Sequence, residues 1–198
     1  MLDTALRIFS IIFPVFACTG LGAAYGYRYR PDMSVVNRLN MEFFAPFLVF
    51  WALVNQPFDF PAYRDLAIGG VAAVLGAGLL LLPIARLLKL NLKTFLPPMM
   101  FNNSGNMGIP LMLFAFGESA LQAAVVLFII EMVLHFSVGF YILDHRTRPL
   151  QLLKMPMIQA TLLGLLFSGL HISLPDALAN TVKLLGQVSI PLLLFSLG

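Results

Sequence analysis

Seven apolar stretches, separated by short polar or proline-containing breaks, occupy most of this sequence. Each approaches the length of helix needed to cross a bilayer, about 20 residues. They run approximately over 6–27, 39–56, 66–85, 94–116, 119–143, 155–172 and 178–198. The chain is 60% hydrophobic and only 11% charged, more apolar surface than a soluble domain of 198 residues can bury. We therefore predict an all-α polytopic membrane protein with seven transmembrane helices.

Basic residues concentrate after every second stretch, which predicts how the helices are oriented. The breaks after the first, third and fifth stretches hold nine of the 12 lysines and arginines: Arg28, Arg30, Arg38, Arg86, Lys89, Lys93, Arg146, Arg148 and Lys154. The other ends of the stretches hold only Arg7, Arg64 and Lys183. Because Lys and Arg accumulate in cytoplasmic loops, we predict that the N-terminus lies outside the cell.

The remaining composition disfavours several classes of function. No basic cluster is dense enough for a nucleic-acid-binding surface. We find no phosphate loop, no metal-ligand spacing and no set of Ser, His and Asp that would meet in one place. We therefore predict a protein that is not an enzyme and has no cofactor and no metal site, with a lipid bilayer as its surroundings.

The sequence also repeats itself weakly. The segment "FPVFACTGLGAAYGY" around Pro14 resembles "MPMIQATLLGLLFSG" around Pro156, and "NMEFFAPFLVFWAL" around Pro46 resembles "LLGQVSIPLLLFSLG" around Pro191. The offsets are 142 residues (156 − 14) and 145 residues (191 − 46). Five stretches separate the copies, an odd number, so the second copy enters the membrane upside down, as in many transporters. We predict a first five-helix repeat over 1–143 and the start of a second, inverted repeat over 144–198.

Residues 101–110, "FNNSGNMGIP", interrupt the fourth apolar stretch with hydrogen-bonding and helix-breaking residues. Pro110 lacks an amide hydrogen and crowds the carbonyl four residues back, and the glycines weaken the helix further. Two half-helices meeting at an unwound crossover would expose the amides after Pro110 to an anionic group such as a carboxylate. A proline-kinked helix packed by small residues is the alternative. The candidate binding residues are Asn102, Asn103, Gly105, Asn106, Gly108 and Pro110.

A carboxyl group also lies in the middle of the fifth stretch. Glu131 precedes His135 by four residues, so both lie on one helical face. Because acidic residues inside membranes are usually functional, we predict that this pair carries or senses a coupling proton beside the crossover. The alternative is a structural role, in which Glu131 bonds to a neighbouring helix or to freed carbonyls of the crossover. Three further residues are predicted to line the opposite side of the cavity or the surrounding scaffold: Pro46, Gln187 and Pro191.

The interrupted fourth stretch and two other segments resemble a known family. The segment "NNSGNMGIPLMLFAFG" resembles the fourth-span crossover motif of the auxin efflux carrier family, in which an Asn stands seven residues before the Pro of a G-[IL]-P-L run. Here these residues are Asn103 and Pro110. The segments "LNMEFFAPFLVFWAL" and "LLGQVSIPLLLFSLG" resemble the second and seventh spans of that family.

The resemblance implies a fold and a function. The fold is a ten-helix 5+5 inverted-repeat transporter, with spans one, two, six and seven as a scaffold and spans three to five and eight to ten as a transport core. The function is secondary transport of small organic anions, indole acetate or dicarboxylates such as malate and malonate, by alternating access. We expect a bacterial member in the inner membrane that depends on the proton-motive force.

The chain reaches only Gly198, so we expect that spans eight to ten are missing. Two other functions stay open: a sodium-coupled symporter of the related bile-acid type, and a truncated membrane protein that does not transport. A homodimer through the scaffold helices is also left open by the sequence.

Overall fold

The computed structural model describes residues 2–56, 58–143 and 149–198. The described residues form seven helices and no strand, and 87% of the structure is helical. The predicted all-α class is therefore confirmed. Arg146 and Arg148, which belong to the third predicted basic loop, lie outside the described residues.

The helices follow the predicted apolar stretches with shifted ends. They are α1 (Leu2–Tyr29), α2 (34–54), α3 (Phe60–Leu87), α4 (92–116), α5 (Glu118–Leu143), α6 (Pro156–Gly169) and α7 (Asp176–Ser196). In the described part of the chain, α1, α3, α5 and α7 are each long and apolar enough to span a bilayer, which supports a membrane protein.

The other three predicted spans are helices that do not meet this criterion by themselves. In α2 the first half carries five polar residues, which lower its hydropathy: Ser34, Asn37, Arg38, Asn40 and Glu42. In α4 the helix is interrupted, as described below. In α6 the helix has 14 residues, shorter than the predicted 155–172.

Side chains define where several helices begin. Asp59 precedes α3, and its carboxylate accepts a hydrogen bond from the amide of Ala62 at 3.1 Å. Asn91 precedes α4, and its side-chain oxygen accepts one from the amide of Lys93 at 3.0 Å. Such caps satisfy amides that have no partner within the helix.

The helices pack in two groups. The four-helix group contains α1, α2, α6 and α7, in which α2 packs against both α6 and α7, and α1 packs against α7. The three-helix group contains α3, α4 and α5, in which α3 packs against α5 and the first half of α4. A buried apolar cluster joins the groups; it includes Val15, Leu48 and Leu53 of the first group and Ile109 and Val125 of the second.

Two ring contacts join helices of the four-helix group, one between α1 and α7 and one between α6 and α2. Tyr25 of α1 lies 5.7 Å from Phe195 of α7, and Phe167 of α6 lies 5.5 Å from Phe50 of α2, measured between ring centroids. Phe167 follows Tyr25 by 142 residues (167 − 25), and Phe195 follows Phe50 by 145 residues (195 − 50). These are the same offsets that relate the proline-containing segments.

A polar junction ties the two groups together at one end. The side chain of Gln122, at the start of α5, donates to the backbone carbonyls of Leu53 at 3.4 Å and Gln56 at 3.3 Å, at and just beyond the end of α2. The hydroxyl of Tyr63 in α3 donates to the Gln122 side-chain oxygen at 2.9 Å. Gln122 therefore supplies donors to the end of α2, where helix carbonyls lack internal partners.

We predict that Gly22→Ala destabilises the chain by about 2 kcal/mol. A Cβ at Gly22 would overlap the backbone carbonyl of Phe195, so α1 and α7 would have to separate. Gly20→Ala, two residues away on the same helix, is the matched control because nothing lies within 4 Å of its Cβ position. Thermal unfolding of both variants in detergent checks this, and equal melting temperatures would contradict the close packing of α1 on α7.

Candidate functional site

The fourth helix is interrupted inside its apolar stretch, as the sequence predicts. Its first half, α4a (Leu92–Met100), ends before three non-helical residues, 101–103, and its second half, α4b (104–116), begins at Ser104. The side-chain oxygen of Asn103 accepts a hydrogen bond from the amide of Asn106 at 3.3 Å and so caps α4b. We call residues 101–103 and the first turn of α4b the crossover.

One detail of the predicted crossover is wrong. The free amides were expected after Pro110, but α4b begins six residues before it, and Pro110 is fully buried inside the half-helix. The amides at the start of α4b are therefore those of Ser104 and Gly105, which have no partner within a helix that begins here.

A π turn explains why the helix continues through Pro110. Residues Ser104–Gly108 form this wider turn, in which the amide of Ile109 bonds to the carbonyl of Ser104, five residues back. The extra residue relieves the clash between a proline ring and the carbonyl four residues before it. In α2, the π turn Asn40–Phe44 likewise ends two residues before Pro46.

Glu131 reaches from α5 to the crossover. Its side chain is buried, and its Oε1 accepts a hydrogen bond from the backbone amide of Asn102 at 2.5 Å. An amide left free by a helix break is costly in an apolar environment, so this carboxyl group satisfies a backbone group of the break. The contact involves a freed amide rather than the freed carbonyls considered from the sequence. The predicted proton role stays a prediction.

Two cavities lie on either side of the crossover and share Asn102, Ser104 and Glu131 in their walls. The α3 cavity, about 320 Å³, lies within the three-helix group, and most of its lining outside the crossover consists of small or apolar residues of α3 and α5. The α2 cavity, about 190 Å³, lies between the groups and is lined by Met41 of α2, Met157 of α6 and the crossover. The crossover therefore forms a polar wall between two small cavities.

Of the predicted binding residues, five line at least one of these cavities: Asn102, Asn103, Gly105, Asn106 and Gly108. Asn102 and Asn103 are exposed, and Asn106 is half-buried. Pro110 is buried behind them and does not line either cavity. The structure thus brings together the polar residues that the sequence singled out.

His135 lines the α2 cavity together with Glu131. Its ring contacts are with Phe101, at 4.7 Å between centroids, and with Phe136 and Phe140. It begins a third π turn, His135–Gly139, which is not followed by a proline. The predicted pair therefore shares a cavity, while the described hydrogen bond of Glu131 goes to the crossover.

The scaffold residues lie apart from the crossover. Gln187 and Pro191 are exposed on α7, and Pro46 is half-buried on α2; none of them lines the α2 or α3 cavity. Asn40 and Ser189 are both buried, and the Asn40 side chain donates to the Ser189 carbonyl at 3.5 Å. These residues join α2 to α7.

Ser104 lines both cavities although it was not among the candidate binding residues, and Gln122 was missed as a junction between the groups. Ser104 stands among the asparagines that were singled out, and its place in both cavities depends on the π turn. Gln122 was detectable, because a glutamine within an apolar stretch needs a partner. Its partners, Tyr63 and two carbonyls, are more than 50 residues away in the sequence and were not.

Within residues 2–56, 58–143 and 149–198, no three or more His, Cys, Asp and Glu side chains come together in a way that would hold a metal ion. A scan against protein-family models, a search of curated proteins and a search of solved structures each found no match to this chain.

We predict that the two glycines of the crossover differ in their tolerance of a methyl group. A Cβ at Gly105 would lie 2.8 Å from the ring of Phe128, so in Gly105→Ala either this ring or the crossover must shift. At Gly108 the nearest atom would be 3.6 Å away, an ordinary contact. Gly105→Ala should lower the free energy of unfolding by about 1 kcal/mol or more, which a lower melting temperature in detergent would show. Gly108→Ala should leave the melting temperature nearly unchanged. The reverse order would show that α4b does not pack on Phe128 in this way.

Proposed function

We propose that this chain is a membrane carrier of small organic anions that holds a carboxylate at the crossover. The observation that carries the proposal is the interrupted α4, whose second half begins inside an apolar stretch, is capped by Asn103 and borders two cavities. A half-helix that begins within the membrane is the typical binding element of many secondary transporters.

The chemistry of the crossover suits an anion. The amides of Ser104 and Gly105 point out of the start of α4b, where the helix dipole favours negative charge. The side chains of Asn102, Asn103 and Asn106 supply further neutral donors, which bind a carboxylate without leaving a buried cation when it departs. Cavities of about 190 and 320 Å³ fit a small organic acid.

The packing of the helices supports alternating access. Carriers of this kind move one helix group against another around the binding site. The α2 cavity lies between the four-helix and three-helix groups, with the crossover on one side and Met41 and Met157 on the other. Movement of the three-helix group would therefore change access to the crossover.

The corresponding ring pairs support an inverted repeat. An in-plane two-fold axis that relates α1 to α6 and α2 to α7 would exchange the contact between Tyr25 and Phe195 with the contact between Phe167 and Phe50. We propose that these four helices are the paired scaffold of a 5+5 transporter similar to the auxin efflux carrier family. The proposal includes a bacterial inner membrane, an N-terminus outside and indole acetate, malate or malonate as substrates.

A sodium-coupled symporter of the bile-acid type is the second candidate, and one observation favours it. Such a carrier needs carboxylate and carbonyl oxygens near the crossover, and Glu131 reaches that place. A membrane protein with no transport activity is the third candidate, which the absence of carboxylate binding would favour.

Substitutions of Asn103 test the anion site. Asn103→Asp keeps an N-cap but adds a negative charge, so we expect a folded protein that binds indole acetate and malonate at least tenfold more weakly. Asn103→Ser also keeps the cap and should retain much of the affinity. Asn180→Ala, at an exposed position on α7, is the control. Isothermal titration in detergent measures the affinities, and undiminished binding by Asn103→Asp would remove the anion site from the crossover.

Replacement of sodium separates the first two candidates. At constant ionic strength, we expect that exchanging Na⁺ for choline leaves the affinity of the wild-type chain for malonate unchanged. A tenfold or greater loss without Na⁺ would instead support the sodium-coupled carrier, with Glu131 as a ligand of the ion. Isothermal titration measures both conditions with the same protein preparation.

A further inference from the structure

We propose that Glu131 is a tethered competitor of the substrate: its carboxylate occupies the crossover when the site is empty, and an anion binds only together with a proton that neutralises Glu131. This inference rests on the proposed function, and it specifies how binding at that site is coupled and regulated.

The Glu131 carboxylate is buried beside the crossover. It is 7% exposed and accepts the amide hydrogen of Asn102, two residues before the first amide of α4b. It also borders both cavities with Ser104. A substrate carboxylate on the amides of Ser104 and Gly105 would therefore lie close to Glu131 on the same polar wall.

The residues that line the two cavities around Glu131 carry no positive charge of Lys or Arg. The neighbouring elements contribute uncharged lining residues, namely Gly70, Ala73 and Val74 of α3, Met41 of α2, Met157 of α6 and the residues of the crossover. His135 is the one other titratable side chain among the described lining residues of the two cavities. The charged residues of α2 nearest to Met41 are Arg38 and Glu42, which are exposed and bonded to each other at 3.0 Å.

An ionised Glu131 and a substrate carboxylate at the start of α4b would repel each other. Like charges a few ångströms apart in a partly buried site weaken each other's binding by on the order of a hundredfold. Protonation of Glu131 removes this repulsion, and the protonated carboxyl group becomes a donor to the incoming anion. By linkage, binding of the anion and binding of the proton favour each other by the same factor.

The consequence is a fixed pairing of charges. Binding of a monocarboxylate takes up one proton, so the loaded site has the same net charge as the empty site with ionised Glu131. The proton remains on the Glu131 carboxyl group and no covalent bond is formed or broken in the substrate. An anion then moves with a proton rather than alone.

The wild-type chain in detergent tests this directly. Isothermal titration with indole acetate, in two buffers of different ionisation enthalpy, measures protons taken up per anion bound. We expect a value that approaches about one proton, and an affinity that falls by up to about tenfold per pH unit, wherever Glu131 is ionised in the empty site. Binding with no proton uptake from about pH 5.5 to about pH 8.5 would overturn the inference while leaving the anion site in place.

Three variants assign the proton. Glu131→Gln keeps an oxygen for the Asn102 amide and should bind indole acetate with no proton uptake and no pH dependence. Glu42→Gln, the same change at an exposed acid, should behave as the wild type. Loss of the pH dependence in His135→Gln but not in Glu131→Gln would overturn the assignment. No binding by the wild type or Glu131→Gln at any pH would overturn the proposed function, and this inference with it.

Discussion

Unpaired backbone groups are the dominant constraint on this structure, because a bilayer has no water to satisfy them. At three places where a helix is broken or ended within the apolar part of the chain, a side chain bonds a backbone group that lacks a partner within the helix. Asn103 caps the start of α4b, Glu131 accepts the amide of Asn102, and Gln122 donates to carbonyls at the end of α2. These three polar residues of an otherwise apolar chain therefore lie where the backbone lacks partners.

The same constraint links structure to the proposed function. A helix break whose backbone groups are all satisfied by its own chain leaves no free amide for a ligand. In the crossover, the amide of Asn102 is satisfied by Glu131, whereas the start of α4b borders open cavity space. The site is thus divided between an internal carboxylate and room for an external one. That division is the basis of the proposal that charge balance, rather than shape alone, controls anion binding.

Much of the fold could be predicted from the sequence, because apolar stretches and breaks are local signals. The seven helices, the interruption before Pro110 and the cluster of asparagines were all readable in this way. The position of the break was misjudged by several residues, since proline was expected to end the helix and a π turn accommodates it instead. The end of α6 also differs from the prediction, because the apolar stretch continues past Gly169 although the helix ends there.

The arrangement of the site was less predictable, because it depends on contacts between distant residues. The sequence pairs Glu131 with His135 through helical spacing, but the carboxylate turns to Asn102, 29 residues earlier in the chain. Likewise, nothing local pairs Gln122 with Tyr63 and the end of α2. Glu131 could carry a proton with either His135 or Asn102 as its partner. The proposed competition with the substrate requires contact between Glu131 and the crossover, and only the packing of α5 on the crossover reveals that contact.

The shortness of α6 has a consequence for the surrounding lipid. Fourteen residues of helix extend over about 21 Å, whereas the hydrocarbon layer of a bilayer is about 30 Å thick. A bilayer crossed by α6 would therefore have to thin beside it, or admit water and headgroups deeper there than along α1 or α3. Because Met157 of α6 borders the α2 cavity, such thinning would, in the proposed carrier, shorten the distance between bulk water and the crossover for a charged solute.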